Sequence, residues 1–206
     1  ATLRTLSNFK SKLQGGGARP NLFEVSIPNF PAAATGSSPA ASWNDETFQF
    51  LCKATNLPAS NTASIDVPFR GRTFKVAGDR TIDNWTVTVI NDEDFILRQA
   101  FEAWMNAITK LENNTGATNP ASYMTDAYVY QLGRGAAEGR FSTKNSTGTS
   151  VTPLKSYKFV DIFHVNVSAI DLSYDSSDTI EEFTVEFAVQ SFEAGDPKDQ
   201  AGQALK

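Results

Sequence analysis

The sequence predicts a mainly β protein, a barrel or two-sheet sandwich of antiparallel strands with one prominent α-helix packed on it. Three observations carry the prediction. Apolar residues alternate with a period of two in several separate runs, one run alone changes to a period of about 3.6, and the strand–helix repetition of a nucleotide-binding α/β fold is missing. With 206 residues, 40% of them hydrophobic and 15 of them Phe, the chain has ample material for one substantial core. A barrel or a sandwich with the helix outside would use it.

The amino terminus carries Leu3, Leu6, Phe9 and Leu13 at helical spacing, and Gly15-Gly16-Gly17 ends the helix. So short an amphipathic helix is marginal unless something covers it, either the chain's own core or a neighbouring subunit. Phe23, Val25 and Ile27 alternate within a strand over Asn21–Ile27, bracketed by Pro20 and Pro28. Residues 28–44, rich in Pro, Ala, Gly and Ser, form a long excursion loop. Glu46–Ala54 reads as the next strand, with Phe48, Phe50 and Cys52 on one face, and pairs with the first as a long-looped hairpin. Leu57-Pro58 marks a turn. Ile65, Val67 and Phe69 alternate around Pro68, which lacks a ladder N–H and so belongs at an edge or bulge. Arg70-Gly71-Arg72 turns the chain into a short strand, Thr73–Val76, ahead of a polar turn over Gly78–Asn84.

The segment that organises the rest comes next. Trp85, Val87 and Val89 share one strand face, with Thr86, Thr88 and Ile90 on the other. Asp92, Glu93 and Asp94 then offer acids to the N-terminus of a helix over about Glu93–Leu111. Leu97, Phe101, Trp104, Met105 and Ile108 form its apolar stripe, and the helix, roughly 27–29 Å long, can cover one side of a sheet. Ala127–Leu132 is another strand, and the Gly-rich stretch 133–150 is an exposed loop. In Tyr157–Val167, Tyr157, Phe159, Phe163 and Val165 alternate with Lys158, Val160, Ile162 and His164, so both faces require cover. A turn at Ser173–Asp178 leads into the cleanest half-buried strand, Ile180–Ser191. There Phe183, Val185, Phe187 and Val189 oppose Glu182, Thr184, Glu186, Ala188 and Gln190. The expected organisation is an amino-terminal arm over 1–17, a domain over 18–192 and a polar tail over 193–206.

No reaction chemistry emerges from this pattern. His164 is the single histidine and Cys52 the single cysteine, so neither a Cys/His metal cluster nor an internal disulfide can form. A Ser-His-Asp role for His164 would need distant partners, and Cys52 reads as a small buried hydrophobe. The acids at 92–94 are explained by a helix start without a metal. No catalytic, cofactor-binding or metal-binding residue is expected. The net charge of −5 disfavours tight sequence-independent nucleic-acid binding, though not a surface past which nucleic acid slides. No run approaches a membrane-spanning length and no secretory signal opens the sequence, which points to synthesis in the cytoplasm without a membrane anchor.

Abundant Phe, Val and Thr alternation without a catalytic constellation suits a sheet completed by copies of itself, each protomer giving strands to a shared ring barrel. The face bearing Glu182 and Glu186 would then be the candidate lining of a channel whose mildly acidic wall keeps DNA phosphate off the surface. Asp79, Arg80 and Asp83 form either an ion-paired turn or an inter-subunit contact. A soluble β-rich ligand-binding module is the alternative of another class.

Several of these segments resemble the tail tube protein of contractile-tailed bacteriophages of the T-even type. They are Ala18–Phe23, Cys52–Thr55 with Leu57-Pro58, Val76–Thr81 with Asp83, Trp85–Val89, Asn91–Glu93, Tyr174-Asp175-Ser176 and Phe183-Thr184-Val185. The resemblance spans about residues 18–192 and extends in fold to the inner-tube subunits of type VI secretion. It implies hexameric rings stacked into a tube inside a sheath, with no cofactor and no reaction catalysed. It further implies a place in the virion tail, sheath, baseplate and tail terminator as partners, and tape measure protein and double-stranded DNA in the lumen without sequence-specific binding. An inner tube of a non-phage contractile injection or type VI system is the related alternative. Residues 31–44, 133–150 and the tail depart from the family pattern and take no role from it.

Overall fold

A computed structural model describes residues 5–13, 17–31, 34, 43–133 and 153–195. They form α1 (Leu6–Lys12), β1 (Phe23–Ser26), α2 (Asp45–Leu51), β2 (Cys52–Thr55), β3 (Ser60–Phe69), β4 (Arg72–Ile82) and β5 (Trp85–Ile90). There follow α3 (Ile96–Ile108), a 3-10 turn at Pro120–Ser122, β6 (Thr125–Gln131), β7 (Lys155–Val167), β8 (Glu182–Ala188) and β9 (Ser191–Gly195). Most of the expected excursion loop at 28–44, the loop at 134–152 and the tail from 196 lie outside the described residues. Residues 193–195, placed in the tail by the sequence, belong to β9.

The chain divides into two compact units. The first comprises residues 1–25, 128–158 and 193–206. In it β1 neighbours β6, β6 neighbours β7, and β9 lies along β7. Leu22, Tyr128, Tyr130 and Leu132 form its small core, with the two tyrosine rings stacked 6.1 Å apart. Gln131 Nε2 donates to the carbonyls of Arg19 (2.8 Å) and Leu22 (2.7 Å), fixing the segment before β1. Thr5 caps α1 by accepting from the Asn8 N–H, and all seven residues of this helix are exposed.

The second unit, residues 26–127 and 159–192, holds the main core. Strands run in the order β7-β8-β5-β2. β5 and β8 are antiparallel in unbroken register from Trp85 opposite Phe187 to Ile90 opposite Glu182. Trp85, Val87, Val89, Phe183, Val185 and Phe187 are all buried, as the alternation predicts. On that face α3 lays Phe101 (6.0 Å from Phe187, 6.2 Å from Phe183) and Trp104 (5.9 Å from Phe187). Trp104 Nε1 donates to the Tyr123 carbonyl at 2.8 Å, so the polar edge of a buried indole is satisfied.

Four further expectations change within the sheets and helices. First, no sheet among the described residues closes on itself; the mainly β, antiparallel, helix-covered part of the prediction holds, while barrel closure within one chain does not. Second, 45–51 is the helix α2, not the start of a strand, and β1 and β2 do not form a hairpin. Asn44 caps α2 by accepting from Glu46 N–H, and the Asp45 carboxylate accepts from Ser26 Oγ (2.7 Å), Ile27 N–H (2.7 Å) and Gln49 Nε2 (2.8 Å). Phe48 is therefore buried and Phe50, two residues on, is 79% exposed, where a strand would have placed them together.

Third, α3 starts at Ile96, after Phe95 in a left-handed conformation (φ 54°) without a side-chain cap. Asp92, Glu93 and Asp94 lie in the preceding turn, and none is in the first helical turn. Met105, assigned to the stripe, is exposed; Ala100 and Ala103 are buried in the helix instead. Fourth, β7 changes phase. Phe159 is buried, then Ile162 and His164, because Asp161 between them adopts φ 52° and shifts the alternation by one. Its N–H bonds the Asp126 carboxylate at 3.2 Å.

Candidate assembly surfaces

The β5–β8 pair presents a second, polar face opposite the core. Register places Thr86 opposite Glu186, Thr88 opposite Thr184 and Ile90 opposite Glu182. Asn166 of β7 continues the Glu186 row. Asn84 Nδ2 donates to Glu186 Oε1 at 2.7 Å, and the Thr88 and Thr184 hydroxyls lie 3.5 Å apart. Lys53 of β2 forms an ion pair with Glu182. That pair is one-third to one-half exposed, so it adds little stability but does place a cation beside the carboxylate. The face is a lattice of hydroxyl, amide and paired charge, less acidic than Glu182 and Glu186 alone suggest.

Strands β3 and β4 form a separate two-stranded ribbon. The polar turn expected over Gly78–Asn84 is absent, because Gly78–Ile82 continues β4. Arg70 (φ 46°) and Gly71 (φ 79°) make the two-residue turn at the tip, both in the left-handed region that a tight hairpin demands. Every residue of β3 is exposed, and in β4 only Gly78 and Ile82 are half-buried. Ile65 faces Val76 and Val67 faces Phe74, which with Phe69 puts five exposed apolar side chains on one face. Gly78 sits at a bulge opposite Ala63, where an added Cβ would come within 3.2 Å of the Ala63 carbonyl oxygen. A longer side chain there would push the strands apart.

Asp79, Arg80 and Asp83 are not brought together as an ion-paired turn. Arg80 Nε bonds Ser60 Oγ, and its guanidinium lies 5.6 Å from the Phe192 ring centre. Asp83 N–H donates to the Ala59 carbonyl at 3.0 Å and its carboxylate accepts from Asn61 at 3.2 Å. These contacts fasten the base of the ribbon. What the sequence reading missed was the ribbon's length, since exposed strands need no apolar alternation through Gly78–Ile82.

The remaining reactive groups are inert. His164 lies among Trp104 (4.8 Å), Phe101 and Phe187, and neither ring nitrogen has a hydrogen-bond partner. Burial lowers its pKa from 6.5 to about 4. Burial pushes the Cys52 thiol up to about 12, leaving no thiolate at neutral pH. Among the described residues no group of three His, Cys, Asp or Glu side chains could hold a metal, and no helix is long and apolar enough to cross a membrane.

The described residues thus present an exposed ribbon with an apolar row and a polar strand lattice. The sequence profile described as phage tail tube protein matches residues 18–194. Tail tube protein gp19 of Enterobacteria phage T4 is 35% identical over 179 residues, covering 87% of this chain and 93% of that protein. The chain belongs to the phage tail tube family. Tail tube protein gp19 of Enterobacteria phage T6 matches at the same identity and coverage. In fold, the tube-terminating cap of the anti-feeding prophage superposes with a TM-score of 0.56 at 15% identity, over 87% of this chain and 91% of that one. Membership gives the protein a structural, tube-forming role that requires no enzymatic site.

Proposed function

We infer that this chain is the repeating subunit of a phage tail inner tube, assembled as hexameric rings that stack into the conduit for genome ejection. The observation that carries the reading is the β3–β4 ribbon. A two-stranded hairpin is marginal alone in water, and this one leaves an apolar row in solvent. A neighbouring copy that covers the row stabilises the ribbon and joins the subunits at once. Because the surfaces that meet differ, such contacts propagate along an axis.

In this reading the sheet completed by neighbouring copies forms the shared ring barrel, and the Glu182–Glu186 face of β8 lines the lumen. A wall of threonine hydroxyls and paired charges holds neither phosphate nor bases, so double-stranded DNA passes without sequence-specific binding, as does the tape measure protein during assembly. Asp79, Arg80 and Asp83 act at the ring or stack contact, and Arg80 and Asp83 also hold the ribbon base. The arm at 1–17 docks on a neighbour, residues 18–195 make the tube wall, and the sequence beyond 195 is a polar tail. Sheath, baseplate and tail terminator are the partners, the virion tail the location, and the host cytoplasm the site of synthesis. The higher identity to phage tail tube proteins than to the injection-system cap favours the phage role over a secretion tube.

Negative-stain microscopy of purified protein tests this directly. Hexameric rings or hollow filaments are expected; a protein that stays monomeric at high concentration, even with a baseplate, would contradict it.

A further inference from the structure

The ribbon tip and one loop of the same chain are complementary. At the tip, Phe69 and Phe74 are each 66% exposed, and Arg70, Arg72 and Lys75 surround them, with the Arg70 guanidinium 5.5 Å from the Phe69 ring centre. The tip is basic and apolar. The loop between β7 and β8 is its counterpart. Residues 171–180 are all exposed and include Asp171, Asp175 and Asp178 with no Lys or Arg. Leu172 (80% exposed), Ile180 (72%) and the fully exposed Tyr174 stand among these acids. The loop's shape is set locally, by Ser176 N–H to the Ser173 carbonyl and Asp175 N–H to Ser173 Oγ.

The two surfaces leave opposite ends of one strand pair. The ribbon is fastened at the Trp85 end of β5, where Asp83 N–H meets the Ala59 carbonyl. The loop enters at the other end, where Asn91 N–H bonds the Glu181 carbonyl and Ile90 faces Glu182. Five rises of a strand, roughly 17 Å, separate the two ends, and the tip lies about 30 Å along the ribbon from its base. Since the whole of β3 is exposed, the ribbon is not folded back along its own sheet to the loop. Within one chain the tip and the loop both stay exposed and do not cover each other.

We propose that the basic, apolar ribbon tip (Phe69–Lys75) of one copy docks on the acidic, apolar β7–β8 loop (Asp171–Ile180) of a second copy. This rests on the tube reading and adds the surface that receives the ribbon. Opposite charge fixes which surface meets which, and the covered Phe69, Phe74, Leu172, Tyr174 and Ile180 supply the apolar contact. Each copy offers one tip and one loop at opposite ends, so the contact is heterologous and repeats without limit along the tube.

The test exchanges the charges in the full chain. Arg70→Glu with Arg72→Glu, and separately Asp175→Lys with Asp178→Lys, should each reduce pelletable tubes by at least tenfold, leaving circular dichroism and the unfolding midpoint unchanged. The variant carrying all four changes should regain tubes. A second measurement does not depend on charge reversal. In tubes assembled from a Phe69→Cys, Tyr174→Cys protein, a thiol-reactive cross-linker should give a ladder of linked copies. Wild-type tubes together with unaffected double variants, or with no ladder, would overturn this contact alone. A wild-type protein that never assembles would overturn the tube reading and the contact with it.

Discussion

The β5–α3–β8 core and the β3–β4 ribbon use the same alphabet of alternating Val, Ile, Phe and Thr, yet end in opposite environments. Val87 of β5 is fully buried between neighbouring strands under α3, whereas Val67 of β3 is exposed. In the core, alternation is resolved within the chain: Phe183 and Phe187 meet Phe101, Phe187 also meets Trp104, and Trp85 stacks on Phe187. In the ribbon, the row of Ile65, Val67, Phe69, Phe74 and Val76 stays exposed among the described residues. Alternation thus specifies a strand with one apolar face; whether the chain or another copy covers that face is a separate matter, decided by topology.

The largest expected effect lies in the core. Trp104→Ala removes a fully buried indole, its bond to the Tyr123 carbonyl and its contact with His164, and should cost roughly 3–5 kcal/mol in denaturant unfolding. A loss below about 1 kcal/mol would mean that α3 does not cover the sheet. Acid should act on the same cluster. The folded His164 pKa of about 4 is below the unfolded value of 6.5, so the unfolded chain binds the proton first. This residue's contribution is intact above about pH 6.5, is lost as pH falls towards 4, and levels off below. The full loss is about 3 kcal/mol. His164→Phe should remove that part of the pH dependence, measurable as unfolding midpoints between pH 7 and 4.

These predictions rest on the regions most legible in the sequence. β5 and β8 were readable because one face is buried and the other polar along their whole length. α2 was not, because Phe48, Phe50 and Cys52 mimic a strand; the contrary signal lay in Asn44-Asp45-Glu46, a cap followed by first-turn acids. The phase change in β7 depends on one backbone angle at Asp161, which no apolar pattern encodes. Asp92–Asp94 pointed to a helix start, but the left-handed Phe95 separates them from α3. On the assembly surfaces, Glu182 and Glu186 were correctly placed together on the polar face of one strand, while Lys53, contributed from 129 residues away in sequence, could not be foreseen.

Smaller effects are expected from the polar face. Glu182→Lys with Glu186→Lys should change monomer stability by less than about 1 kcal/mol, since an exposed ion pair and one amide contact are lost. Genome passage through tubes built from this variant should slow, because DNA phosphate would meet a cationic wall. Ejection kinetics unaffected by the change, in tubes of normal length, would place this face away from the lumen.

The smallest change in the monomer should accompany the largest change in assembly. Val67→Asp with Phe74→Asp alters two exposed side chains and should move the unfolding free energy of the free subunit by no more than about 0.5 kcal/mol. Negative-stain images of that variant beside the wild type are the most direct measurement: hollow filaments from the wild type and none from the variant are predicted. Filaments of equal length from both would contradict the claim that the ribbon is completed by a second copy.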